Sequence, residues 1–131
     1  MEWIEIKCKE DILPIIEEYK EYRKDIRDEL KELEDDDSNH AIYRSIGLGN
    51  KTYKANRMTG FLKSSKIDAL LNKGFALRFN GVMLHIDTKN YSWQDFNYYP
   101  KSDKMYAKKW QKWYDYSWSW IEKKLINNDE L

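Results

Sequence analysis

From Asp11 onward the apolar residues Ile12, Ile15, Tyr19, Tyr22, Ile26, Leu30 and Leu33 recur at three- and four-residue spacing. That period draws one stripe down a helix of about six turns, and a stripe of this kind must lie against other apolar surface. Pro14 falls in the first turn, where its missing N–H is tolerated. The acids of "EDDDSNH" sit badly at the negative end of the helix dipole, and its Asp, Ser and Asn favour turns, so the helix is expected to end there.

The surface that receives the stripe is expected to be a sheet. "EWIEIKC" alternates, with Trp3, Ile4 and Ile6 as its apolar members, and reads as a short first strand. "FALRFNGVMLHID" places Asn80-Gly81 between two apolar runs, which predicts a hairpin at 75–87 closed by a type I′ turn. "AIYRSI" and "KTYKANRM" flank "GLGN" and read as two further strands joined by a glycine turn. Between them and the hairpin, Ser64 and Ser65 are candidate N-caps of a short helix with Ile67, Leu70 and Leu71 on its apolar face and Gly74 as its stop. "KNYSWQDFNYYP" is aromatic but interrupted by polar residues and closed by Pro100, so an ordered loop or an edge strand is expected. Ser102 then caps a final helix running to about Asn127.

No repeat, low-complexity tract or flexible linker divides the chain. The expectation is one α+β domain over residues 1–131. Its antiparallel sheet of about four or five strands packs with a long N-terminal helix, a short middle helix and a long aromatic C-terminal helix. A domain of 131 residues buries roughly two thirds of its unfolded surface, so neither a metal nor a disulfide is needed to hold it. Cys8 is the only cysteine, which suits a reducing compartment. The charged start "MEWIEIKCKED" is unlike a signal peptide, and no run approaches the ~20 apolar residues of a membrane span. A cytoplasmic protein is expected, and the richness in Lys, Asn, Ile and Tyr suggests an AT-rich bacterium or a phage-infected cell.

The densest aromatic stretch is "WQKWYDYSWSW" at positions 110–120. Laid on a helical wheel at ~100° per residue, Tyr106, Trp110, Tyr114, Trp118, Ile121 and Leu125 span about 120°, the width of a buried face. Trp113, Tyr116 and Trp120, with Met105, extend the apolar arc further. These three residues are therefore the candidate partner-binding flank, to be covered by the "YSWQDFNYY" loop, by a protein partner or second copy, or by a nucleobase. Asp115 and Glu122 in the polar sector speak against a membrane-surface helix.

Net charge is zero, but it is partitioned: residues 1–37 hold 15 acids and 7 bases, and residues 38–67 hold 6 bases and no acid. Regional charge bears on partners and their approach. Arg44, Lys51, Tyr53, Lys54 and Arg57 form the candidate phosphate or nucleic-acid site, although a strand would split its cations between two faces. "GLGNKT" is not a phosphate loop, because Asn50 precedes the lysine where a glycine is required. Acid-base pairs at i,i+3 and i,i+4 along the first helix neutralise most of what would otherwise resemble a DNA mimic.

Catalysis finds little footing. His85 and Asp87 share a strand face and could form an oriented base, but two histidines in total, with His40 in a turn, give no recognisable triad. Cys8, His40 and His85 lack the close spacing of metal ligands, and no cofactor motif is present. The expected function is a small non-enzymatic protein that occupies a macromolecular partner, with inhibition of a bacterial defence system by a phage or mobile element as one role. A nucleotide or nucleic-acid binder is the alternative.

Overall fold

The computed structural model of the chain describes residues 2–88, 96–108 and 110–127. Within them the fold is α+β, with six antiparallel strands ordered β1 to β6 in one sheet. The strands are β1 (Ile4–Ile6), β2 (Ala76–Phe79), β3 (Leu84–Asp87), β4 (Phe96–Tyr99), β5 (Lys104–Ala107) and β6 (Lys112–Asp115). Helices α1 (Leu13–Leu33), α2 (Asn39–Lys63) and α3 (Lys66–Asn72) separate β1 from β2, and α4 (Ser117–Ile121) follows β6. The sheet has one strand more than the upper expectation of five.

Alternation along the strands sorts the sheet into two faces. Ile6, Leu77, Phe79, Leu84, Ile86, Phe96, Tyr98 and Met105 point to one side and join a buried core with Ile12, Ile16, Met58, Phe61, Leu62, Ile67, Leu70, Trp118, Ile121 and Leu125 of the helical layer. All the described helices contribute to this side, and among the described residues no helix contributes a side chain to the opposite face.

At the N-terminus the expected strand and helix form, although Tyr22 of the expected stripe is exposed and Ile16 outside it is buried. β1 forms, α1 carries Pro14 in its first turn, and a short 3-10 turn at Lys9–Ile12 joins them. The hairpin at 75–87 is present as β2 and β3, but its turn is not the expected type I′. Only Gly81 has positive φ, at 90°. The Asn80 carboxamide oxygen instead accepts the N–H groups of Val82 and Met83, each at 2.9 Å, closing a four-residue connection through its side chain. Gly74 ends α3 with a φ of 88°.

Two expectations are overturned. "AIYRSI" and "KTYKANRM" are one helix, α2, running straight through "GLGN". Ser38 caps it by accepting the N–H of Ala41 at 3.2 Å, so the turn that ends α1 also starts α2. Ala41, Leu48, Ala55, Met58, Thr59 and Leu62 are buried on one side of it. This spacing is helical, and packing overrides the strand preference of the Ile, Tyr and Thr residues between. α1 and α2 form an antiparallel hairpin tied by Arg44 to Glu29 at 2.6 Å and by Arg23 to Asn56 at 3.0 Å.

The second correction is the C-terminal helix. Residues 104–107 and 112–115 form β5 and β6, and the helix begins only at Ser117, so Ser102 is not its cap. Trp118, Ile121 and Leu125 are buried as expected, the last on a π-type turn at Glu122–Ile126. Trp110 and Tyr114, expected in the core, are exposed, while Met105, expected on the flank, is buried. Asp103, Gln111 and Tyr116 take φ of 51–52° at the ends of these strands. The chain thus reverses at left-handed positions occupied by none of the usual glycines.

Candidate protein-binding edge

The register places Glu5, Arg78, His85, Asn97, Tyr106 and Trp113 opposite one another across all six strands of the helix-free face. Near the β1 end Trp3 lies under the Arg78 guanidinium at 5.9 Å and meets the His85 ring edge-on at 6.2 Å. In the middle, Nδ1 of His85 is 2.9 Å from Oδ1 of Asn97. His85 is buried. The structure places both His85 and Asp87 on β3, the first opposite Arg78 and Asn97 and the second opposite Ala76.

At the other end Trp113 packs between Tyr99 and Tyr106, with ring centroids 5.0 and 5.2 Å away. The strand that carries it, β6, is the last of the sheet. Its only partner among the described residues is β5, and all four of its residues are exposed. Behind β6, on the helical side, Met105, Trp110, Tyr114, Asp115, Ser117 and Trp120 line a cleft of about 310 Å³. Trp120 packs edge-to-face on Phe96 at 5.7 Å and so forms the inner wall of that cleft.

The expected flank of Trp113, Tyr116 and Trp120 is therefore gathered at one end of the fold, but not on one surface. Trp113 stands on the helix-free face, Trp120 lies in the cleft on the other side of β6, and Tyr116, 82% exposed, follows the strand in its left-handed turn. Sequence reasoning missed Tyr99, Tyr106, Trp110 and Tyr114 as members of this edge. Alternation in "KMYA" places Tyr106 on the face opposite the buried Met105 and Ala107, whereas Trp113 and Tyr114 put rings on both faces of β6 and leave no such signal. The expectation that "YSWQDFNYY" covers the flank rests in part on residues 89–95, which lie outside the described residues.

Asp103 anchors the edge from below. Its carboxylate accepts from the Tyr98 hydroxyl at 2.7 Å and from the Trp118 N–H at 2.9 Å, and its carbonyl accepts the Ser117 N–H at 3.0 Å. Burial, together with the hydrogen bond to this carboxylate, pushes the Tyr98 phenol well above its ordinary range. The β4–β5 turn, the core phenol and the start of α4 are thereby locked into one unit.

The basic candidates are elsewhere, on α2. Arg44 forms a two-point pair with Glu29, 2.6 and 3.1 Å, and that hydrogen bond holds the Glu29 carboxyl below its usual range. Arg57 stacks on the Tyr53 ring at 5.7 Å. At ~100° per residue Arg44, Lys51, Lys54 and Arg57 wind over about 140° of the helix and do not make one row. No group of three or more metal-ligating side chains occurs among the described residues, and no described helix is long and apolar enough to cross a membrane.

Comparisons with protein-family models, curated proteins and solved structures find no match to this chain.

Proposed function

We propose that this chain is a small non-enzymatic binding protein whose β6 edge takes up an extended segment of a protein partner as a further strand. The observation that carries the reading is that β6 is paired on one side only among the described residues while presenting aromatic rings on both of its faces. An unpaired edge offers a row of backbone donors and acceptors, and alternate side chains of an added strand would fall on the Tyr99–Tyr106–Trp113 surface and in the Trp110–Tyr114–Trp120 cleft. Aromatic anchors of this kind supply most of the energy in small interfaces. Lys112 and Asp115 guard only the ends of the strand, and Trp113 and Tyr114 at its centre carry no charge.

The nucleic-acid reading draws no comparable support, because its cations are spread around α2 and Arg44 is already engaged by Glu29. Inhibition of a bacterial defence component by a phage or mobile element is a biological setting in which such a module would work; it rests on size, composition and the absence of a recognisable catalytic motif.

Affinity capture from the native host followed by hydrogen exchange on the complex tests the edge. Trp113→Ala with Tyr114→Ala should abolish capture while leaving the fold intact, and the amides of 112–116 should gain protection in the wild-type complex. Capture indifferent to the double variant, with protection falling on another element, would remove β6 as the site.

A further inference from the structure

Helix α2 carries a second apolar face that the single chain leaves in water. Ile42, Tyr43, Ile46 and Tyr53 are each 50–74% exposed. At ~100° per residue Ile42, Ile46, Gly49 and Tyr53 fall within about 60° of one another, and they lie away from Ala41, Leu48 and Ala55 on the side buried in the α1–α2 hairpin. Their spacing of four, three and four residues is that of the apolar seam of a two-helix coiled coil.

Gly49 interrupts this face in mid-helix and Gly47 lies about 100° off it, and each costs about 1 kcal/mol relative to alanine. Nothing inside the chain accounts for them, since a Cβ built at either would meet no atom within 4 Å. A partner helix would account for both the recess and the exposed isoleucines.

We propose that α2 is a homodimer seam, packing antiparallel on α2 of a second copy about a two-fold axis near Gly47 and Leu48. The sequence of the face is self-complementary under that operation. Ile42 meets Tyr53 of the second copy, and Ile46 enters the recess at Gly49 of the second copy, large against small at both symmetric positions. Charge agrees with the same operation. Asp35, Asp36 and Asp37 immediately precede α2, whereas Lys54 and Arg57 lie in its second half. Antiparallel pairing brings acid to base at both ends of the seam; parallel pairing would set acid on acid and base on base. This self-complementarity selects a second copy over an unrelated apolar helix. The face is separate from β6, so the dimer stands or falls independently of the binding edge.

Sedimentation equilibrium and light scattering of the purified chain are expected to give twice the chain mass. Ile46→Glu should halve that mass with helix content and melting behaviour retained, because the side chain is exposed in the single chain. A charge-swap pair gives a second reading. Lys54→Glu with Arg57→Glu should dissociate alone, as should Asp36→Lys with Asp37→Lys, and mixing the two variants should restore a heterodimer. A monomeric wild type, or a dimer that survives Ile46→Glu and dissociates instead on Trp113→Ala, would overturn the proposal.

Discussion

The two edges of the sheet meet water differently. β1 is three residues long, its Ile6 is buried in the core, and Trp3 just before it is laid over Arg78 and His85. β6 is four residues long, buries none of them, and carries Trp113 and Tyr114 on opposite faces. Short, charged or side-chain-anchored edges are how sheets discourage unwanted pairing, and β1 with Glu5 and Lys7 fits that pattern. β6 lacks it at its centre. An edge that buries none of its own residues yet exposes large rings suits the proposed added strand.

The contrast can be broken first at β1. Ile6→Ala should destabilise the protein by about 3 kcal/mol, read as a shift of the urea midpoint, because a fully packed aliphatic side chain leaves a cavity behind. Capture by the folded fraction should be unchanged. Trp113→Ala should do the reverse, losing capture with under about 1 kcal/mol of stability lost, since the ring is mostly exposed. Equal stability losses in the two variants would erase the distinction between a structural and a functional edge.

Asp103 sharpens the comparison from the other end. Asp103→Ala removes the acceptor of both the Tyr98 hydroxyl and the Trp118 N–H, and should cost about 2 kcal/mol. Hydrogen exchange should speed up in α4 and leave β1 as protected as before. If β1 loosened equally, the β6 end would not be a separately anchored unit.

The smallest expected effect is at low pH and belongs to β1. The Asp11 carboxylate accepts the N–H groups of Lys7 at 2.8 Å and Cys8 at 3.2 Å, and these bonds hold its pKa below the ordinary value. A carboxyl depressed in the folded state stabilises above its unfolded pKa, and that contribution is lost as pH falls through the folded value. The wild type should therefore lose stability in acid more steeply than Asp11→Asn, as measured by urea unfolding across that range. Identical slopes would show that the turn after β1 does not depend on the charge of this carboxylate.

What the sequence made legible follows from how each element is stabilised. α1 has a wide apolar stripe, and the 75–87 hairpin is marked by Asn80 and Gly81, so local pattern and tertiary role agree there. α2 hid because four of its apolar residues, Ile42, Tyr43, Ile46 and Tyr53, do not face the core, and because two glycines break its middle. β5 and β6 hid for two reasons. Rings on both faces of β6 erase the period-two signal, and the reversals fall on Asp103, Gln111 and Tyr116 rather than on glycine. The aromatic surplus reads as the flank of a helix, whereas residues 112–115 are a strand, so its neighbours on β4 and β5 stay hidden in the sequence.

The way β1 joins the sheet has a consequence for how the chain assembles. β2 to β6 pair only with sequence neighbours, whereas Ile6 must find Leu77 across the whole helical layer. The entropy of closing such a loop of roughly seventy residues grows only with the logarithm of its length, about 0.6 kcal/mol for each doubling. Added length at the α1–α2 tip, around Asp35–Asp37, should thus be tolerated by the fold. The helical hairpin is, in this sense, a long insertion between the first strand and the meander whose apolar face it covers.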